Sequence, residues 1–378
     1  MQLKEPQFTL GVEEEYLLVD LETRDLVNDP PAELMQECVD ACGGQVSPEF
    51  MRSQIEVGTV ICRNVNDARH EISRLRGEIA RIANNYGFAP IAASTHPFAR
   101  WMEQKQTARA RYANLTRELQ AAARRLLICG MHVHVGIEDR ELRIDLMNQL
   151  SYFLPHLLAL SCSSPFWEGD DTGLKSYRLT VFDALPRTGL PEQFDSFGEY
   201  ERHVAVLVNA GLIEDSSRIW WDLRPSSRFP TLETRIMDVC TNVGHTLSMV
   251  ALTVCLLRML FRLRRDNQRW RVYAAMLINE NRWRAMRYSF DEGMIDLAKG
   301  EVVSFDVLLH ELMEFVADDA VALGCEQEIA ALPDILANGT SAHRQLQVFE
   351  QTVAAGASRD DALKQVVDWL IAETVRDI

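Results

Sequence analysis

Seven side chains in four short stretches have the types and spacing to do chemistry. "GVEEEYLLVD" puts Glu13 and Glu15 two residues apart, "SQIEVGT" carries Glu56, "GMHVHVGI" carries His132 and His134, and "PTLETRIMD" carries Glu233 and Arg235. Extended side chains alternate between two faces, so residues two apart share one. Glu13 and Glu15 would then sit ~7 Å apart on one face, with Glu14 on the other. Two such carboxylates raise each other's pKa unless a cation lies between them. Mg²⁺ or Mn²⁺ would do so, because both take oxygen ligands. A solvated acidic edge strand accounts equally well for this stretch taken alone.

The other stretches extend the pattern. His132 and His134 share a strand face while Met131, Val133 and Val135 turn to the core, which suits a metal or a phosphoryl group. Zinc is disfavoured, since no Cys or third His joins them at motif spacing. Glu233 and Arg235 either form a surface ion pair or divide the work, the carboxylate to a metal and the guanidinium to a phosphate or substrate carboxylate. Glu49 is a weaker companion of Glu56, His96 in "ASTHPF" reads as a turn histidine, and Asp222 and Arg224 in "WWDLRPS" read as support for a strand and turn. "GLKSYRL" adds Lys175 and Arg178 from a loop, and "NENRWRAMR" puts Arg284 and Arg287 one helical turn apart beside Asn281 and Arg282. Four strands presenting these groups on one face make a carboxylate-rich funnel with arginines at its rim. That arrangement suits phosphoryl transfer from a nucleotide. There is no GxxxxGK[ST] or GxGxxG stretch, so metals and arginines would have to hold the phosphates.

These groups need a frame. The chain has 378 residues, enough for a sizeable core, with 47% hydrophobic and 25% charged residues. A net charge of −16 disfavours nucleic acid and anionic membranes as partners. Eight cysteines without a CxxC pair, several in apolar runs, read as free buried thiols. The opening "MQLKEPQF" lacks an apolar h-region, and the apolar run Leu247 to Leu257 is too short to span a bilayer, so a cytoplasmic soluble protein is expected. Strands are expected at 10–19, 51–62, 88–93, 131–137, 219–223 and 231–237. Helices are expected at 31–41, 65–86, 100–126 with breaks, 141–162 and 194–210, and then nearly throughout from 241. The glycine-, proline- and serine-rich stretch 163–191 reads as a functional loop. The pattern is α+β: a single catalytic domain over 1–378, its sheet-forming part at about 8–240 and a helical part at about 241–378.

In order along the chain, "GVEEEYLLVD", "GMHVHVGI", "SSPFWEGDDTG", "PRTGLP", "WWDLRPS", "PTLETRIMD" and "NENRWRAMR" resemble the bacterial carboxylate–amine ligases of the glutamate–cysteine ligase type 2 family. The resemblance runs from about Phe8 to Phe290. It implies the fold of the glutamine synthetase and guanidino kinase catalytic domain, a curved, mainly antiparallel sheet with helices on its outer face. It implies ATP and Mg²⁺ or Mn²⁺ as cofactors. ATP would phosphorylate a carboxylate, typically the γ-carboxylate of glutamate, and an amine such as that of cysteine would attack the acyl phosphate. By position it implies Glu13, Glu15, Glu56, His132 and Glu233 as metal ligands. Arg178, Arg235 and His132 would stand at the reacting groups, with Arg235, His134, Arg284 and Arg287 near the nucleotide. "STHP" and "RYSF" depart from the family at a glycine each. A guanidino or carboxylate kinase and a non-catalytic nucleotide- or metal-binding regulator are the alternatives. The long apolar helix from Leu247 to Leu263 packs either internally or against a partner copy, and in the second case a homodimer is expected.

Overall fold

A computed structural model describes residues 4–378. Its frame is a curved seven-stranded sheet, and every pairing in it is antiparallel. The strands are β1 (Leu10–Asp20), β2 (Val46–Pro48), β3 (Gln54–Gly58), β4 (Phe88–Ile91), β5 (Met131–Gly136), β6 (Leu223–Pro225) and β7 (Thr231–Thr234). The order is β6-β7-β5-β1-β3-β2, with β4 paired to the second half of β1.

Register decides which residues meet. Glu13 lies opposite His132, Glu15 opposite Glu56, and Glu233 opposite both His134 and Arg224. Directly opposed residues point the same way, so one face of the sheet carries all of these charged groups. The other face presents Val12, Tyr16, Val57, Val133 and Leu232, all buried. Two helices cover that apolar face. The helix α1 (Val65–Asn84) starts where the Asn64 side chain accepts from the Asp67 N–H, and it buries Ile72, Leu75, Ile79 and Ile82 at helical spacing. The helix α2 (Val243–Arg265) is capped by Asn242, and every residue from Leu247 to Leu257 is buried. Among the described residues it is the one helix long and apolar enough to cross a membrane, but its apolar stretch is enclosed by protein on all sides.

Glu14 is the exception on the covered face. It is fully buried, and Arg76 of α1 meets it with two parallel N–H donations, at 2.9 and 2.6 Å. Thr246 of α2 donates to the same carboxylate at 2.7 Å, and Tyr16 donates to its other oxygen. Arg76 also donates to the carbonyls of Cys240 and Thr241. A buried ion pair survives only when every lone pair and N–H finds such a partner.

Several elements are shorter than the periodicity suggests. The expected helix at 100–126 is a turn at Trp101–Glu103 and helices Ala110–Leu119 and Ala121–Arg124, interrupted where Gln120 takes a positive φ. The expected helix at 141–162 divides into Arg140–Leu150 and Leu154–Ser161, with Pro155 in the first turn of the second. The helical run expected from 241 breaks after Arg265 and resumes only at Ala275, as α3 (Ala275–Tyr288). The hairpin Met294–Asp296 with Glu301–Val303 is not foreseen in the helical region. All eight cysteines are free and buried.

His96 is buried in its turn, and its tautomer is fixed. Nε2 donates to the Arg24 carbonyl, while Nδ1 accepts from the Phe98 and Ala99 N–H groups. Burial lowers its pKa to about 3.

Two stability predictions follow from the buried groups. Arg76→Met strands a buried carboxylate and is expected to cost about 3–5 kcal/mol, with most of it recovered in Glu14→Gln/Arg76→Met. Urea unfolding followed by circular dichroism measures both. His96 is the depressed case: the unfolded chain takes the proton first, so stability is intact above pH ~6.5 and falls as pH drops toward 3. His96→Gln should remove about 2 kcal/mol of the loss between pH 7 and pH 5, read from unfolding midpoints across that range.

Candidate active site

The charged face of the sheet forms the floor of a cleft of about 510 Å³. Its walls come from the stretch around Arg109 and Tyr112, from the short helix Arg178–Phe182, and from the segments Ser217–Trp220 and Ser226–Phe229. Glu13, Glu15, Glu56, His132, His134, Glu233, Arg178 and Arg235 all line it. The structure therefore brings together eight of the ten residues to which the resemblance gives a role.

Two sets of ligand atoms converge there. Glu13, His134 and Glu233 form one set, and Glu15, Glu49 and Glu56 form the other, with ligand atoms within 4.8 Å of one another in each. In the first set Glu13 accepts from Nδ1 of His132 at 2.9 Å, and Nε2 of His134 stands 3.4 Å from it. His134 is oriented through Nδ1, 3.0 Å from the Thr231 hydroxyl. Among the described residues its buried Nε2 makes no hydrogen bond. Glu233 is held by Arg224 at 2.9 and 3.1 Å and by Arg235.

Electrostatics separates the two sets. Burial alone would raise Glu13, but the hydrogen bond from His132 and the nearby His134 imidazole hold it well below the usual carboxylate range. Burial likewise opposes Glu233, and the charges of Arg235 and Arg224 outweigh it. Burial and the nearby Arg235 lower His132 to about 4, so it gives Glu13 a neutral N–H rather than an ion pair. In the second set the positive charges of Arg178 and Arg235 do not overcome burial and mutual repulsion. Burial, and then Glu49, push Glu15 up to about 8, although Gly130 donates its N–H to Glu15 at 2.8 Å. Burial followed by Glu49, Glu13 and Glu15 pushes Glu56 well up. An acceptor-only, oxygen-rich donor set that repels itself fits a hard divalent cation, and the orphaned imidazole nitrogen fits a second.

The arginines divide. The guanidinium of Arg178 is buried in the floor, donating to the carbonyls of Arg235 and Ile236 with Asp238 at 3.9 Å. Gly130 makes room for it, since a Cβ there would lie 2.5 Å from Nη2. Arg284 and Arg287 do not reach the cleft. Arg284 donates to the carbonyls of Glu292 and Gly293, and Arg287 to that of Gly173. The nucleotide contact expected of both gives way to a structural one, because their helix face meets a neighbouring loop and turn. Their neighbour Arg282 spans Asp183 and Asp222, tying α3 to the strand end behind the site. Glu49 has more weight than its sequence position suggests. It is a loop residue, with no strand period to flag it.

Comparison with known proteins adds a family. The model of glutamate–cysteine ligase family 2 matches residues 9–367. The chain belongs to glutamate–cysteine ligase family 2. Its relatives include a protein of Rhodospirillum rubrum, provisionally named glutamate–cysteine ligase 2, 60% identical over 99% of this chain and 97% of that one. A protein of the same provisional name from a Jannaschia species is 55% identical over 97% of this chain and 96% of its own length. Among solved structures, the glutamate–cysteine ligase of Francisella tularensis in complex with AMP superposes with a TM-score of 0.69 at 12% identity, covering 100% of this chain and 90% of that one. The bifunctional glutathione synthetase of Pasteurella multocida gives the same score at 14% identity, over 98% of this chain and 53% of its own. At such identities the likeness is one of fold, and it matches the expected sheet. Family membership carries the reaction class, ATP-dependent joining of a carboxylate to an amine.

Adjacent glutamates are expected to behave oppositely. Glu15→Gln removes repulsion, so it should raise the melting temperature of metal-free protein and weaken Mn²⁺ binding by roughly 10–100-fold. Glu14→Gln should lower the melting temperature and leave Mn²⁺ binding within about twofold, since that carboxylate faces the helices. Calorimetric titration with Mn²⁺ alone, beside thermal melts, tests both.

Proposed function

We propose that the protein joins the γ-carboxylate of glutamate to an amine, such as that of cysteine, through an acyl phosphate. The observation that carries this reading is the pair of carboxylate sets on one sheet face, sharing a cleft with buried arginines. A nucleotide's phosphates need cations, and a sheet floor with no glycine-rich loop supplies them through ions and guanidinium groups.

Glu13, His134 and Glu233 would hold one divalent cation, and Glu15, Glu49 and Glu56 another. When bound, such cations offset phosphate charge and orient the donor oxygen. The chain's own groups do the rest. Arg235, fixed by Glu233, presents its guanidinium to the transferring phosphoryl group. Arg178, locked by main-chain carbonyls, supplies fixed positive charge beside Glu15. His132 and Thr231 hold Glu13 and His134 in their orientations. In the first step a carboxylate oxygen bonds to the γ-phosphorus and the bond to the β-phosphate breaks, releasing ADP. In the second the amine nitrogen bonds to the acyl carbon, inorganic phosphate leaves and the amine loses a proton. Neither step needs a protein nucleophile, so the acceleration comes from positioning and from preorganised charge.

ADP release should be negligible with glutamate alone and should rise when a suitable amine is added, whereas a kinase would turn over without the amine. Glu233→Gln is expected to lower amide formation by roughly 10–100-fold. An undiminished rate in that variant would sink the reading. A coupled ADP assay with product analysis by mass spectrometry measures both.

A further inference from the structure

The second acidic set is assembled from unequal parts. Glu15 and Glu56 sit opposite each other on β1 and β3, so strand register fixes both. Glu49 lies in the loop between β2 and β3, where no register directs its side chain. Its carboxylate still converges with the other two. Two donors hold it there, and both reach Oε2: the Phe50 N–H at 2.7 Å and the Tyr112 hydroxyl at 3.0 Å.

Tyr112 comes from outside the sheet. It belongs to the helix Ala110–Leu119, in the cleft wall. The chain leading to that helix lies along the same loop. The Thr107 hydroxyl donates to the Glu49 carbonyl at 2.6 Å, the Thr107 N–H to the Phe50 carbonyl at 2.9 Å, and the Arg52 N–H to the Lys105 carbonyl at 2.9 Å. The Phe50 and Tyr112 rings meet edge to face, with centroids 5.5 Å apart. The Tyr112 hydroxyl also stands 3.2 Å from the Pro48 carbonyl, so its one hydrogen has two acceptors within reach. The carboxylate is favoured, because a hydrogen bond to an ionised acceptor is roughly twice as strong as a neutral one. A carboxylate gripped at one oxygen from two directions keeps the other oxygen pointed one way, which is what a cation ligand requires.

We propose that Tyr112 is a positioning residue for the second cation set: its hydroxyl fixes the Glu49 carboxylate, and the set is complete only while residues 105–119 lie against the β2–β3 loop. This rests on the cation role given above to Glu15, Glu49 and Glu56. Linkage makes the relation reciprocal, so a cation bound there holds the wall down as the wall holds the ligand. Tyr112 needs no contact with substrate for this. Phe in its place keeps a ring against Phe50 and removes only the donor.

The test is a double-mutant cycle read by metal binding. Mn²⁺ alone is titrated calorimetrically into wild type, Tyr112→Phe, Glu49→Gln and Tyr112→Phe/Glu49→Gln. Tyr112→Phe should weaken by roughly 10–100-fold the same class of site that Glu49→Gln weakens, and leave the other class within about twofold. In the Glu49→Gln background it should change nothing beyond about twofold, because the hydroxyl acts only through that carboxylate. Hydrogen exchange of wild type, read by mass spectrometry, should slow over residues 105–119 when Mn²⁺ is added, and Glu49→Gln should show no such slowing. Equal weakening of both classes of site by Tyr112→Phe, its full effect persisting in the double variant, or unaltered exchange in wild type overturns the assignment. Unchanged binding in Tyr112→Phe overturns it as well, and leaves the cation set standing if Glu49→Gln is weakened. Mn²⁺ binding that Glu49→Gln does not alter overturns the cation role of Glu49, and the positioning role with it.

Discussion

The two-residue period of an extended strand is the constraint on which this molecule is built. In β1 it sends Glu13 and Glu15 into the cleft and Glu14 into the protein interior. Three consecutive carboxylates therefore have two unrelated jobs. The outer two create a demand for cations. The middle one consumes the charge of Arg76 and clamps α1 and α2 against the sheet. A slip of one residue in register would exchange these roles and leave the core with two unpaired carboxylates. The two networks thus enforce one another's register.

The cleft is unevenly charged for a physical reason. Glu233 and Glu13 receive guanidinium and imidazole partners from β5, from β6 and from the end of β7. Glu15 and Glu56 face each other across β1 and β3 with Glu49 added from a loop, and their repulsion stays within the protein. Rigid strands backed by packed helices keep these carboxylates from relaxing apart. Holding them together costs stability, which a cation bound among them would restore.

The sheet face was readable because alternation is a local property. Glu13, Glu15, His132, His134, Glu233 and Arg235 are spaced two apart within strands, and that spacing survives any tertiary arrangement. The residues that resisted reading depend on distant partners. Arg76 lies on an ordinary amphipathic helix, and nothing near it announces Glu14, 62 positions away. Glu49 sits in a loop, where no period indicates a direction. Arg284 and Arg287 share a helix face as their spacing requires, but spacing does not say what that face meets. Helix ends depart from the periodicity where a proline or a positive-φ residue outweighs propensity, as at Pro155 and Gln120.

Arg76 also reaches the far end of the chain. Its Nη1 lies 3.4 Å from the carbonyl of Thr374, and the hydroxyl of that threonine accepts from Ala92 just beyond β4. The shell around the central ion pair is thus assembled from residues near 14, 76, 241 and 374. During synthesis the first half of the sheet emerges long before this shell can close. A nascent chain that ends short of Thr374 lacks part of this shell, so the packing around Glu14 is completed only once the helix Arg359–Thr374 has left the exit tunnel.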